Sequence, residues 1–126
     1  MSYGKIRANS LEHSSQGSLN TQYVVGATPK AWVNYNGQTN TLNDSFNTSS
    51  VSDQSTGRQY WNNTNSFVNS DGAGAGMTAR TGISGFSGVS GNIMRSTSQW
   101  DMNTTTSDTE AGQDAEWSCI GVGDLA

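Results

Sequence analysis

The side chains able to do chemistry in this chain are few, and their spacing gives them little to work with. His13 is the only histidine and Cys119 the only cysteine. A catalytic serine needs a histidine beside it that is held by a carboxylate, whereas His13 lies in the polar run Glu12-His13-Ser14-Ser15. It reads as a solvated or interface residue. Cys119 rules out an intramolecular disulfide and alternates with Ala115, Trp117 and Gly121 on one face of a strand, which predicts a buried structural thiol. Asp108, Glu110, Asp114 and Glu116 are the remaining candidates. Paired carboxyls hydrolyse glycosides only at a defined separation across a cleft, and the spacing here follows no calcium-loop pattern. The stretch 101–116 is therefore expected to be a solvated acidic loop. Residues 69–76 are glycine-rich but lack the Lys-Ser/Thr ending and the βαβ setting of a phosphate cradle. The expectation is a protein that is not an enzyme, with no metal and no cofactor.

Recognition is better served. Tyr60-Trp61-Asn62-Asn63 sets aromatic faces beside amides, the combination with which sugar-binding surfaces stack on a ring and hydrogen-bond its hydroxyls. Tyr60, Trp61 and Trp100 are thus the candidate glycan contacts. Aromatic residues also fill small cores and subunit contacts. Trp32, Val33, Tyr35, Phe46 and Trp117 are assigned there.

The elements that must position these residues are built from an unusual composition. Ser, Thr, Asn and Gly make up about half of the 126 residues, while Leu, Ile, Val and Phe together reach only about 14 per cent. High net charge and few aromatics would complete the signature of disorder. The net charge is −4, and eleven residues are aromatic. One folded domain with a thin core is expected, and such domains need disulfides, metals or partner chains. With a single cysteine, oligomerisation remains. No Lys or Arg follows Arg95, while Asp101, Asp108, Glu110, Asp114, Glu116 and Asp124 accumulate there, which disfavours nucleic acid as a partner. No apolar run approaches the roughly 20 residues of a membrane span, and the N-terminal residues lack the apolar core of a signal peptide.

The organising stretch is Lys30-Ala31-Trp32-Val33-Asn34-Tyr35-Asn36-Gly37. In a strand, Ala31, Val33 and Tyr35 share one face and Trp32, Asn34 and Asn36 the other. Residues 1–22 are polar with isolated apolar side chains and read as an extended arm, docking through Lys5, Ile6, Arg7, Leu11 and Leu19. Residues 23–126 form the domain. Tyr23-Val24-Val25 favours a strand, and Pro29 sets an extended or turn conformation at Thr28. Residues 44–53 read as one strand turning at 53–57 into 58–63. Further strands are expected at 77–81, 92–100 and 116–122, with an irregular connection at 82–91. No segment shows a helical period. The fold class is all-β, a small antiparallel, jelly-roll-like β-sandwich with an extended N-terminal arm.

Several blocks resemble small virion proteins of marine tailed bacteriophages, cyanophages among them. These are Gly4-Lys5-Ile6-Arg7-Ala8-Asn9-Ser10-Leu11-Glu12-His13, the stretch 30–37, the stretch 44–53 with Ser55-Thr56-Gly57, and the terminal Gly123-Asp124-Leu125-Ala126. The resemblance runs from end to end in order. It departs at Gln59-Tyr60-Trp61-Asn62-Asn63, where the family has a more apolar strand, and at Val122, where it has an aromatic residue. It implies a structural, tail-fibre-like component of a virion, made in the host bacterial cytoplasm. A homotrimer contacting other virion proteins of the tail, neck or capsid is expected, with a host surface glycan as a further partner of a receptor-binding module.

Overall fold

The computed structural model describes residues 8–79, 87–106 and 111–126. Ser10–His13 (β1) and Gly17–Asn20 (β2) pair antiparallel, with Leu11 opposite Leu19. A short helix, Thr21–Ala27 (α1), follows. Eight strands then form the body: Ala31–Asn36 (β3), Thr41–Phe46 (β4), Thr48–Ser55 (β5), Arg58–Asn63 (β6), Ala73–Ala79 (β7), Ser87–Ser96 (β8), Gln99–Thr106 (β9) and Glu116–Val122 (β10). They make two antiparallel four-stranded sheets, β4-β3-β10-β7 and β5-β6-β9-β8. The hairpins β3–β4, β5–β6 and β8–β9 stay within a sheet. The other connections cross between the two, and the expected all-β sandwich results.

Strand periodicity decides what faces the interior. Along β3, Ala31, Val33 and Tyr35 are buried while Trp32, Asn34 and Asn36 alternate outward, as the two-residue period requires. Trp117, Cys119 and Gly121 point inward from β10. The second sheet answers with Gln59, Trp61 and Asn63 from β6 and with Trp100, Met102 and Thr104 from β9. Aromatic rings supply most of the large volume. Trp61 and Trp100 stack across neighbouring strands at 5.4 Å and 21°, Phe67 meets Trp100 edge-on at 5.8 Å, and Tyr35 tilts against Trp117 at 5.5 Å. Gly121 makes room for the stack, since a Cβ there would lie 3.0 Å from Trp100 and 3.4 Å from Trp61. The Trp61 indole N–H donates to the Thr48 hydroxyl at 2.8 Å, so this buried ring has its polar atom paired.

Several expectations are corrected. Residues 44–53 are not one strand, because Asn47 takes a left-handed φ of 53° and turns the chain from β4 in one sheet to β5 in the other. Its side-chain amide donates to the carbonyls of Lys30 at 3.1 Å and Asn65 at 3.2 Å, and its side-chain oxygen accepts from the Asn65 backbone N–H at 2.7 Å. Residues 92–100 are split by a turn between β8 and β9, β9 runs on through the start of the expected acidic loop, and β7 begins inside the glycine-rich stretch. The expected irregular connection at 82–91 becomes strand from Ser87 onward, and its earlier residues lie outside the described ones. Tyr23-Val24-Val25 is helical: the Thr21 hydroxyl donates to the Ala8 carbonyl at 2.7 Å and its N–H to Asn9 at 3.0 Å. Those anchors outweigh a weak local β preference. Pro29 ends the helix by holding Thr28 extended, at φ −72° and ψ 130°.

Asn47→Ala is expected to cost about 2 kcal/mol, because it removes the corner hydrogen bonds and places a Cβ without a local acceptor in left-handed backbone. Urea unfolding checks this, and Asn47→Gly, which relieves the backbone term alone, should cost less.

Candidate functional site

The outer face of the first sheet carries an apolar row across its whole width. Register sets Trp32 between Phe46 on β4 and Ile120 on β10, and sets Ile120 opposite Ala75 on β7. Met77 stands one step along β7 on the same face, 78 % exposed, with Phe46 at 56 % and Ile120 at 44 %. Trp32 is half-buried. Trp32, Ala75, Met77 and Ile120 line a groove of about 480 Å³, with Phe46 beyond it on β4. A polar ladder runs beside it: the Asn43 amide donates to Asn34 Oδ1 at 2.6 Å, and the Asn34 amide donates to Ser118 Oγ at 2.8 Å. Asp44 and Glu116 lie on this face as well. An apolar centre with a polar rim is the anatomy of a protein interface, and a solvated sheet face normally has no such centre.

Of the residues assigned to core or interface, Val33, Tyr35 and Trp117 are in the core, while Trp32 and Phe46 belong to this outer row. Sequence reasoning missed Ile120, Ala75 and Met77. Ile120 alternates with the inward Trp117 and Cys119, which marks it as outward. Met77 joins the row only through the register of β7. The arm residues Leu11 and Leu19 oppose each other on the β1–β2 hairpin, both exposed, whereas Lys5, Ile6 and Arg7 lie outside the described residues. The arm is locally folded as a hairpin and a helical turn, and no residue of β1, β2 or α1 is buried.

The second sheet presents a different outer face. Tyr60 lies under the Arg95 guanidinium at 4.6 Å and that of Arg58 at 5.4 Å from the ring centre. Arg58 grips Asp101 with Nε at 3.0 Å and Nη2 at 2.6 Å; Arg95 Nη1 reaches the same carboxylate at 3.2 Å and also the Tyr60 hydroxyl. Around them the Asn62 amide donates to Ser50 and Ser52, and the Gln99 amide donates to Asn62. Of the glycan candidates only Tyr60 faces outward. Trp61 and Trp100 are fully buried, because their strand positions point inward and a core short of aliphatic residues takes their rings. Neither can stack on a sugar in this fold.

The candidate chemical groups are structural or scattered. Asp114 Oδ1 accepts from the Gly57 N–H at 2.8 Å and from the Gln59 amide at 3.3 Å, tying the β5–β6 turn to the chain before β10. Gly57 holds a φ of 74° there, and a Cβ on it would fall 2.4 Å from Gln113 N and Thr104 O. Glu116 accepts from Asn43 at 3.4 Å, while Asp108 and Glu110 lie outside the described residues. His13 Nδ1 sits 3.3 Å from the Ser15 N–H and hydroxyl on the exposed hairpin. Cys119 is buried. Among the described residues no group of three or more His, Cys, Asp or Glu side chains comes together to hold a metal, and no helix is long and apolar enough to cross a membrane.

The hydrogen bonds from Arg58, aided by the charges of Arg58 and Arg95 and opposed by burial, hold the Asp101 carboxyl below its usual range. A carboxyl lowered on folding adds stability that is complete above its unfolded value, near 4, and is lost as pH falls through the folded value. Asp101→Asn should therefore be less stable than the native chain at pH 7, with the gap narrowing once pH falls below the unfolded value and through the lowered folded one. Urea midpoints across pH check this, and a gap independent of pH contradicts it. The chain matches no protein-family model, and no curated protein or solved structure is similar to it at a significant level.

Proposed function

We propose that this chain is a structural subunit of a bacteriophage particle whose work is assembly. The observation that carries the reading is the apolar row through Phe46, Trp32, Ile120 and Ala75, left in contact with water on the outer face of a folded sandwich. A monomer has no use for such a row, whereas a subunit buries it. The end-to-end resemblance to phage virion proteins supplies the setting: a fibre, a neck or tail appendage, or a capsid decoration. The unit is a homotrimer, attached to other virion proteins through the N-terminal segment. No catalytic step is assigned to it. Its net charge of −4 and its Asn/Ser/Thr-rich composition suit a particle component that must stay soluble while it waits for partners.

A second reading, a carbohydrate-binding module of a tail fibre, is favoured by one feature. Tyr60 faces outward among Asn62, Gln99 and two arginines on the second sheet. Both guanidinium groups lie over its ring, so a sugar would have to be held by hydrogen bonds to the amides and arginines rather than by stacking on the tyrosine.

Deleting residues 1–28 should leave the sandwich folded and cut incorporation into particles by at least about tenfold, the factor that follows from losing 1.4 kcal/mol or more of binding. Quantitative mass spectrometry of purified particles checks this. Incorporation at the native level by the truncated chain contradicts the docking role.

A further inference from the structure

The second sheet sets two arginines on one carboxylate. Asp101 is only 8 % exposed, and Arg58 already answers it with the side-on fork of Nε and Nη2, at 3.0 and 2.6 Å. A bidentate arginine is a full partner for a carboxylate. Arg95 joins nonetheless, with Nη1 3.2 Å from the same group. Among the described residues Asp101 is the only carboxylate with which either arginine forms an ion pair. The cluster therefore keeps one surplus positive charge, on a chain whose net charge is −4.

Arg95 is held at several points although its side chain is half-exposed. It stands at a register shift in β8, between Met94 and Ser96, and a bulge re-aims the side chain it carries. From there the guanidinium lies 4.6 Å from the centre of the Tyr60 ring, while Nη1 donates to the Tyr60 hydroxyl and to Asp101. These contacts leave its Nε and Nη2 without a partner among the described residues. That edge is the same fork with which Arg58 grips Asp101.

We propose that the open fork of Arg95 holds the carboxylate of an acidic sugar, so that the outer face of the second sheet takes a uronate-bearing polysaccharide. This rests on the carbohydrate reading of that face and names its ligand class. A planar guanidinium fixed beforehand loses little freedom when it pairs. The surroundings favour a sugar over an acidic peptide. Ser50, Ser52, Asn62 and Gln99 lie beside the arginines on neighbouring strands, and their hydroxyls and amides suit the hydroxyls of a sugar ring. A peptide would be anchored by apolar or aromatic side chains seated in pockets. These neighbours provide none, and the Tyr60 ring already lies under both guanidinium groups. The apolar row is on the other sheet, so binding and assembly use different faces.

The test is an NMR titration of the full, isotope-labelled chain with trisaccharides of galacturonate and of mannuronate, and with the neutral trimers of galactose and mannose. The expected result is saturable binding of an acidic trimer that shifts the Arg95 Nε–H signal, with its neutral counterpart at least about tenfold weaker, the loss that one charge-assisted pair carries. Arg95→Gln should lose this preference with the circular dichroism unchanged, because Arg58 still pairs with Asp101. Arg95→Lys keeps the charge without the fork and should lose it too; a lysine variant that discriminates like the native chain would overturn the role of the fork. Equal binding of acidic and neutral trimers would overturn the acidic class and leave the carbohydrate reading standing, whereas binding of no trimer would remove both. An aspartate tripeptide that binds at Arg95 as tightly as the acidic trimers would overturn the assignment to a sugar.

Discussion

The stacked pair of Trp61 and Trp100 is the contact on which this sandwich depends. Among the described residues Val33 is the only Leu, Ile or Val side chain that is buried, and the indoles hold the two sheets about 10 Å apart. Their rings, 5.4 Å apart on β6 and β9, reach across the interior to Gly121 on β10. Phe67 closes the stack from one end, and the chain terminus is drawn in beside it through the bridge between Phe67 and Leu125. Large rings fill space with few residues and lose little rotamer freedom on ordering. A chain that is half Ser, Thr, Asn and Gly can fold in this way.

The same economy explains the outer faces. Three of the four tryptophans are buried, and the fourth, Trp32, is turned outward by the alternation that sends Val33 and Tyr35 in. Across the neighbouring strands that alternation also turns out Phe46 and Ile120, so a single periodic rule yields both the core and the apolar row. On the second sheet it turns out Arg58, Tyr60 and Asn62, giving a charged and amide-rich surface around Asp101. One sandwich thus has an apolar outside suited to a subunit contact and a polar outside suited to water. The difference between them lies in which residues occupy alternate positions on β3, β6 and β10.

Much of this was legible in the sequence where a strand reads by period two. The strand from Ala31, the final strand 116–122, the turn into Arg58 and the buried Cys119 follow from alternation and turn chemistry alone. The misplaced features have long-range causes. The break at Asn47 is fixed by hydrogen bonds to Lys30 and Asn65, distant in sequence. The helix at Thr21–Ala27 is anchored by Ala8 and Asn9 against the β preference of Val24 and Val25. Tyr60 and Trp61 are neighbours with opposite fates, and a candidate glycan site that included both ignored the strand period. The row joining Trp32 to Ile120 and Ala75 depends on which strands pair and in what register, which no local pattern encodes.

As the subunit we propose, this sandwich buries its apolar outer row on assembly. Sedimentation equilibrium of the full native chain at low micromolar concentration tests that most directly. The proposed homotrimer sediments at three times the 13.3 kDa chain mass and dissociates before or together with unfolding. A monomer that sediments at the chain mass and unfolds in one cooperative, concentration-independent transition would contradict it.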